Sequence, residues 1–133
     1  MEHVTFEIAK KLKDKGFPQH ITDEAYIVDN YGDDECDIGD RLPNLLISDY
    51  MDDIAAPTIS QVLKWLREEY HIHIEIVSVA YGYDLIINDT PDKGATDRYY
   101  SYANDDGPND RGAWDSYEDC VLYGINYTLD NLI

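Results

Sequence analysis

The sequence predicts an α+β fold, in which residues 1–133 form a single domain with a curved antiparallel sheet of about 4–5 strands and about three helices covering one face. A chain of 133 residues has the usual length of one domain. Residues 71–79 alternate between apolar and polar side chains, and a turn at Gly82 leads into a second apolar run, which is typical of a β-hairpin. Most connections are short, which favours antiparallel pairing over βαβ crossovers.

Three segments carry the start signals and the apolar spacing of helices. They are residues 6–15 after the candidate N-cap Thr5, residues 57–70 with Thr58 and Gln61 as a capping box, and residues 115–133 with Asp115 and Glu118 as the cap. The predicted buried stripes are, in the same order, Ile8, Ala9 and Leu12; Ile59, Val62, Leu63, Trp65 and Leu66; and Val121, Ile125, Leu129 and Leu132. Each stripe gives its helix one apolar face to bury.

Five segments are predicted strands. They are residues 24–28, 44–50, 71–79, 83–89 and 98–103. In the third of these segments, Ile72, Ile74 and Ile76 are predicted to face the core, because side chains alternate between the two faces of a strand. His71, His73 and Glu75 are then predicted on the opposite face.

The net charge of −18 narrows the classes of partner. Residues 1–15 carry a net charge of +1 and the rest of the chain −19, while Asp outnumbers Glu by 20 to 8. Asp favours turns and loops, so most of the acid is expected in connections. Such a surface repels nucleic acid and anionic lipid and attracts basic proteins. We therefore expect no nucleic-acid partner and no membrane partner.

Two further observations predict a cytoplasmic protein. The N-terminal residues 1–16 lack the uninterrupted apolar run of a signal peptide, and no stretch of about 18 apolar residues would span a membrane. Cys36 and Cys120 fit neither a disulfide framework nor a zinc motif, which favours a reducing compartment.

The segment "DNYGDDECDIGD", residues 29–40, is the most acidic stretch and the first candidate for a metal site. An EF-hand loop that begins at Asp33 would place Ile38 where Gly is needed and Asn44 where Glu is needed. We therefore interpret Asp33, Asp34 and Asp37 as part of a solvated connector or a protein-binding surface. His71, His73 and Glu75 also have a spacing that some zinc sites use, but exposed residues of an outer strand face show the same pattern. We predict no bound metal and no cofactor.

The sequence contains no established catalytic motif of the hydrolase, nucleotide-binding or zinc-protease type. Its carboxylates lie mostly among Gly, Asn and Pro, where they stay solvated and keep ordinary acidity. Cys120 lies in a predicted helix beside Val121 and is interpreted as a core residue. No catalytic residue is therefore predicted, although a small enzyme stays open as an alternative.

Tyrosine is strongly preferred over phenylalanine, by twelve residues to two. Five of the tyrosines flank the predicted hairpin and the next strand: Tyr81, Tyr83, Tyr99, Tyr100 and Tyr102. Rigid aromatic rings with a polar tip are typical of protein-binding surfaces. Strand residues that lie half in the core, with their hydroxyl groups in water, give the same pattern, and the residues alone leave both interpretations open.

Three segments resemble small uncharacterised proteins encoded in phages and mobile elements of gut Bacteroidales. They are "VTFEIAKKLKDKGF" at 4–17, "IAAPTISQVLKWLREEYHIHIEI" at 54–76 and "WDSYEDCVLYGINYTLDNLI" at 114–133, and the similar segments occur there in the same order. The resemblance covers somewhat under half of the chain. It implies a compact α+β protein of phage or mobile-element origin, and it assigns no activity and no functional residue.

These observations lead to two functional hypotheses. The first is a non-enzymatic accessory protein that binds a basic site on a host protein through an acidic, tyrosine-bearing surface. Its most specific version is a nucleic-acid mimic, in which spaced carboxylates replace phosphates. The alternative is a small enzyme or a divalent-cation-binding domain built on the acidic loops. The sequence leaves the oligomeric state undetermined.

Overall fold

The computed structural model of the chain describes residues 2–29, 38–40, 51–89 and 97–133. These residues have an α+β structure, as predicted. The helices are α1 (Phe6–Asp14), α2 (Ile59–Tyr70) and α3 (Tyr117–Asn131). The strands are β1 (Glu24–Asp29), β2 (Ile38–Asp40), β3 (Met51–Ala55), β4 (Ile72–Val79), β5 (Gly82–Asp89) and β6 (Arg98–Tyr100).

The chain divides into two compact units, Met1–Thr58 and Ile59–Ile133. Each unit has its own three-stranded sheet among the described residues, in the orders β2-β1-β3 and β4-β5-β6. The prediction of one sheet with about 4–5 strands is therefore wrong, whereas the predicted antiparallel pairing is confirmed. Antiparallel strands pair with neighbours in the sequence through short connections, so each half of the chain completes its own sheet.

In the first unit, the opening helix has the predicted cap and the predicted buried face. The Thr5 side chain accepts a hydrogen bond from the backbone N–H of Ile8 at 3.3 Å, and Ile8, Ala9 and Leu12 are buried. Gly16 follows the helix with a left-handed φ of 88°. The local pattern therefore determined both ends of α1 correctly.

The sheet of the first unit differs from the prediction at two strands. β2 was not predicted, because it lies at the end of the segment 29–40 that was interpreted as an acidic connector. β1 confirms the strand predicted at 24–28, and it pairs with β3, which was not predicted. Asp52 and Asp53 interrupt the apolar pattern of β3, and this explains why the pattern did not reveal it. The strand predicted at 44–50 lies outside the described residues.

In the second unit, the inner face of the hairpin packs against α3. Ile74 pairs with Ile87 and Ile76 with Leu85 across β4 and β5, as the predicted alternation requires. Helix α3 approaches the sheet closely at Gly124, where an added Cβ would lie 2.8 Å from the Cδ1 atom of Leu85. The core of this unit is therefore built from the hairpin, the apolar face of α3 and the buried face of α2, which packs against β4 and α3.

Three details of the second unit differ from the prediction. The N-cap of α3 is Ser116, whose hydroxyl accepts a hydrogen bond from the backbone N–H of Asp119 at 3.0 Å, rather than Asp115. β6 ends at Tyr100, and a 3-10 helix spans Tyr102–Asn104 where the strand was expected to continue. Leu63 of α2 and Leu132, which follows α3, are half-buried, whereas the other residues of the two predicted stripes are buried.

Helix α2 begins at Ile59, directly after Thr58, and this is the start that the capping box predicts. Replacing Thr58 by alanine should lower the free energy of unfolding by about 1 kcal/mol, because an N-cap side chain satisfies a backbone donor of the first turn. Urea denaturation of the full chain measures the change. Ser60→Ala, at an exposed position of the same turn, is the control and should change stability by less than about 0.5 kcal/mol. Equal effects of the two variants would contradict the predicted cap.

Candidate functional site

A cavity of about 530 Å³ lies in the second unit, between the tip of the β4–β5 hairpin and the loop that follows β6. The side chains relevant to binding come from Tyr81, Asp84, Tyr102, Asp105, Asp110 and Arg111. The volume falls within the range of roughly 300–1,000 Å³ that is usual for small-ligand pockets. Two aromatic rings, three carboxylates and one guanidinium group therefore meet in a space large enough for a ligand.

Asp84 is the buried carboxylate of the cavity, with 5% of its surface exposed. Its Oδ1 atom accepts a hydrogen bond from the backbone N–H of Leu85 at 2.8 Å. Burial raises the pKa of Asp84 above its usual range; the bond from Leu85 opposes this, and the charge of Asp105 adds to it. No side chain of the described residues donates a hydrogen bond to the Oδ2 atom. The cavity thus contains a desolvated carboxyl group that lacks a cationic partner.

Arg111 supplies the positive charge of the cavity. Its guanidinium carbon lies 5.7 Å from the centroid of the Tyr81 ring, within the range of a cation–π contact. Within the described residues it forms no ion pair with a carboxylate. Its backbone has a left-handed φ of 60°, and Gly112 follows with a φ of 71°. Among the described residues that line the cavity, Arg111 is the only arginine, and it lies over an aromatic ring and forms no ion pair with Asp84.

Backbone contacts connect the two walls of the cavity. Tyr83 and Trp114 exchange two backbone hydrogen bonds of 2.8 Å, and these connect β5 to the end of the loop. The side-chain amide of Asn109 donates to the carbonyl oxygen of Tyr81 at 3.0 Å and to the carboxylate of Asp115 at 2.6 Å. Within the loop, the N–H of Gly107 donates to the carbonyl oxygen of Gly112 at 3.0 Å. These contacts hold the hairpin tip and the loop in one arrangement.

The five predicted binding tyrosines do not form one surface. Tyr81 and Tyr102 are 46% and 45% exposed and line the cavity. Tyr83 lies on the face of the hairpin toward α3, with its ring 6.3 Å from that of Tyr117. Tyr99 is half-buried, and its hydrogen bond to Asp89 raises the pKa of its hydroxyl to about 12. The exposed pair therefore comes from the hairpin tip and from the 3-10 helix.

Tyr100 is buried, with 2% of its surface exposed, and this differs from its predicted place on the binding surface. Its hydroxyl donates to the Oδ2 atom of Asp106 at 2.9 Å, and Tyr123 donates to the same atom at 2.8 Å. Burial and the bond to Asp106 raise the pKa of Tyr100 above its usual range. Its ring packs edge-on against Tyr127 at 4.9 Å. Tyr100 is therefore a core residue whose hydroxyl is paired within the protein, and it fits neither of the two interpretations of the tyrosines.

Asp33, Asp34 and Asp37 lie outside the described residues. Among the His, Cys, Asp and Glu side chains that the structure does describe, no group of three or more is arranged to hold a metal ion. His71 has a φ of 57° and precedes β4, so it does not continue the strand face on which His73 lies. The strand spacing that suggested a zinc site at His71, His73 and Glu75 is therefore interrupted at His71.

Cys120 is buried, as predicted, and it is a free thiol. Burial raises the pKa of this thiol to about 12, and the negative charge of Asp84 contributes in the same direction. A thiol with such a pKa stays protonated at neutral pH and is a poor nucleophile. Cys120 therefore packs the core of the second unit.

Sequence reasoning missed Asp84, Asp105, Asp110 and Arg111. The signal for Asp84 was its position as a single carboxylate inside the apolar run "YDLIIND". Aspartate is unfavourable in a strand, so its presence there suggests a role for the strand face on which it lies. The loop residues had no such signal, because "NDDGPNDRG" resembles any solvated turn. Only the folded loop brings these carboxylates and the arginine to one cavity.

The fold and the cavity define an α+β protein with an acidic, tyrosine-walled pocket. Comparison of the chain with protein-family models, curated proteins and solved structures found no match. Among the described residues, no helix is both long enough and apolar enough to cross a lipid bilayer.

Proposed function

We propose that this protein is a non-enzymatic accessory protein of phage or mobile-element type. It binds a basic site on a host protein through an acidic surface that carries Tyr81 and Tyr102. The origin rests on the resemblance of the segments at 4–17, 54–76 and 114–133 to phage and mobile-element proteins. The binding role rests on charge and on the cavity.

The observation that carries the binding role is the pairing of two exposed tyrosines with three carboxylates around one cavity. Tyr81 and Tyr102 offer rigid aromatic area, and Asp84, Asp105 and Asp110 offer negative charge beside it. Interfaces commonly use tyrosine as an anchor, whereas charged groups around it steer the partner and select its sign. A net charge of −18 extends the same attraction beyond the cavity.

The most specific version is a mimic of nucleic acid that occupies a DNA-binding protein. Carboxylates on a protein surface reproduce the charge of phosphates, and a basic DNA-binding groove recognises charge first. Competition by duplex DNA tests this version directly. If DNA displaces the protein from its partner, the basic site is a nucleic-acid site; if DNA has no effect, the partner uses a basic site of another kind.

The acidic segment 29–40 should contribute to binding more than to stability. Changing Asp33, Asp34 and Asp37 together to Asn should raise the Kd for the basic partner by about tenfold, because each exposed charge contributes on the order of 0.5 kcal/mol. The free energy of unfolding should stay the same or rise, since like charges repel one another. Isothermal titration calorimetry at low and at high salt, with a partner captured from host lysate, measures both the Kd and its salt dependence.

A second pair of variants controls for the tyrosines. Replacing Tyr81 and Tyr102 by Ser should weaken the same complex, whereas replacing Tyr117 by Ser should not, although Tyr117 is similarly exposed at 44%. Tyr117 lies on α3 and is not part of the cavity. The proposed function would be contradicted if the Kd of the complex stayed the same at high salt, after the three Asn substitutions and after the replacement of Tyr81 and Tyr102.

The alternative of a small enzyme or a divalent-cation-binding domain has one observation in its favour. The pKa of Asp84 is raised inside a cavity, and perturbed carboxyl groups of this kind are common in active sites. A thermal melt with calcium or zinc tests the cation-binding version, because a specific ion stabilises the folded state by RT ln(1 + [L]/Kd). A micromolar calcium or zinc site that the three Asn substitutions abolish would replace the proposed function.

A further inference from the structure

We infer that the cavity is a receptor pocket for one arginine side chain of the partner, with the Asp84 carboxylate as the group that the guanidinium contacts. This inference rests on the proposed function and specifies the chemistry of the same surface. It is carried by three features of the cavity: the Oδ2 atom of Asp84, which accepts no hydrogen bond from a described residue, the balance of charge, and the aromatic walls.

The first feature is the Oδ2 atom of Asp84. Asp84 is 95% buried, since 5% of its surface is exposed, and it lines the cavity. Its Oδ1 atom accepts a hydrogen bond from the N–H of Leu85, whereas its Oδ2 atom accepts none from a described residue and stays accessible from the cavity, because it is not among the buried unpaired atoms of the described residues. A buried carboxylate is unfavourable unless a cation or hydrogen-bond donors compensate for the lost water. A cation that enters the cavity provides this compensation.

The second feature is the sign of the charge. The described residues that line the cavity bring three carboxylates, those of Asp84, Asp105 and Asp110, and one guanidinium, that of Arg111. Arg111 offsets at most one of these three charges, and it forms no ion pair within the described residues, so the described lining stays net negative. An anionic ligand would meet a net negative surface, whereas a cationic ligand lowers the electrostatic energy of the cavity.

The third feature selects arginine over lysine. The ring of Tyr81 already holds a guanidinium, that of Arg111, at 5.7 Å, and Tyr102 brings a second exposed ring to the cavity. A planar guanidinium stacks on aromatic rings and donates two parallel hydrogen bonds to a carboxylate. An ammonium group can lie over a ring, but it has no plane to stack and no fixed pair of parallel donors, and it is more strongly hydrated. The cavity therefore favours arginine in both respects.

The test uses three capped tripeptides as probes and the full chain as the receptor. The probes are acetyl-Gly-Arg-Gly-amide, acetyl-Gly-Lys-Gly-amide and acetyl-Gly-citrulline-Gly-amide, in which citrulline has the shape of arginine without its charge. Titration followed by ¹H–¹⁵N NMR should give saturable shifts with the arginine probe at residues 79–84 and 102–112. The lysine probe should bind more weakly, and the citrulline probe should give no saturable shift.

Variants assign the contact to the pocket. Asp84→Asn should raise the Kd of the arginine probe by about tenfold or more, since it removes a charge-assisted hydrogen bond. Tyr102→Leu tests the same pocket at an exposed position and leaves the buried carboxyl unchanged. Glu69→Gln is the charge-matched control, because Glu69 is exposed on α2 and lies outside the cavity, and it should leave the Kd unchanged.

The outcomes separate this inference from the proposed function. If the arginine and citrulline probes bind equally, or if Asp84→Asn and Tyr102→Leu both leave the arginine Kd unchanged, the arginine pocket is overturned. A basic partner that still binds both variants as tightly as the parent overturns the pocket and retains the proposed function. Conversely, the arginine probe could bind the pocket while no basic host protein binds the chain. That result would retain the pocket and overturn the proposed function.

Discussion

Replacing Gly82 by alanine should destabilise the unit Ile59–Ile133 by about 3 kcal/mol or more. Gly82 has a φ of 129°, a conformation that residues with a Cβ atom rarely adopt. A Cβ atom at this position would also overlap the backbone carbonyl oxygen of Trp114, to which Tyr83 donates its hydrogen bond. The variant therefore combines backbone strain with a separation of β5 from the loop, and urea denaturation measures the loss.

Gly16→Ala separates the two causes. Gly16 also has a left-handed φ, of 88°, but no atom lies within 4 Å of the position of an added Cβ. It should lose only about 1–2 kcal/mol, the conformational part of the effect. If Gly82→Ala is no more destabilising than Gly16→Ala, the close contact between the hairpin and Trp114 is contradicted.

Leu85→Ala should lower the free energy of unfolding by roughly 2–5 kcal/mol. The side chain of Leu85 is fully buried, and its Cδ1 atom lies where α3 approaches the sheet at Gly124. Truncation leaves a cavity that a helix and a sheet in close contact are unable to fill by small movements. Thermal and urea denaturation of the full chain measure the change.

The neighbouring residue provides the control for this prediction. Ile86 belongs to the same strand but points to the opposite face, and it is half-buried. Ile86→Ala should therefore be clearly less destabilising than Leu85→Ala. The reverse order would show that the inner and outer faces of β5 are assigned the wrong way round.

Local patterns predicted most of the secondary structure because their physical causes are local. The Thr5 cap, the buried stripe of α1 and the left-handed Gly16 each depend on residues within one or two turns. The alternation in β4 likewise identified Ile74 as a core residue before any partner was known. By contrast, β3 contains two aspartates in succession, and its pairing with β1 depends on tertiary contacts.

The candidate site was only partly predictable. Composition indicated an acidic surface with tyrosines, and Tyr81 and Tyr102 do line an acidic cavity. Asp84 and Arg111 were missed because they are 27 positions apart in sequence, and a solvated turn and a cavity wall have the same composition. Their meeting depends on the hydrogen bonds of Asn109 and on the contact between Tyr83 and Trp114.

Tyr100 and Tyr102 show which features the sequence determines and which depend on the tertiary structure. The sequence by itself determined the helices, the β4–β5 hairpin, the charge and the abundance of tyrosine, because spacing and composition are properties of the chain. By spacing alone, the two tyrosines belong to one face of a strand that spans residues 98–103. The tertiary structure ends that strand at Tyr100, caps a 3-10 helix with Ser101, and so buries Tyr100 beside Asp106 while exposing Tyr102 at the cavity. Which tyrosine lies in the core and which at the cavity therefore depends on where the loop turns. The hydrogen bond from Tyr123 to Asp106 and the pairing of Trp114 with Tyr83 fix that loop.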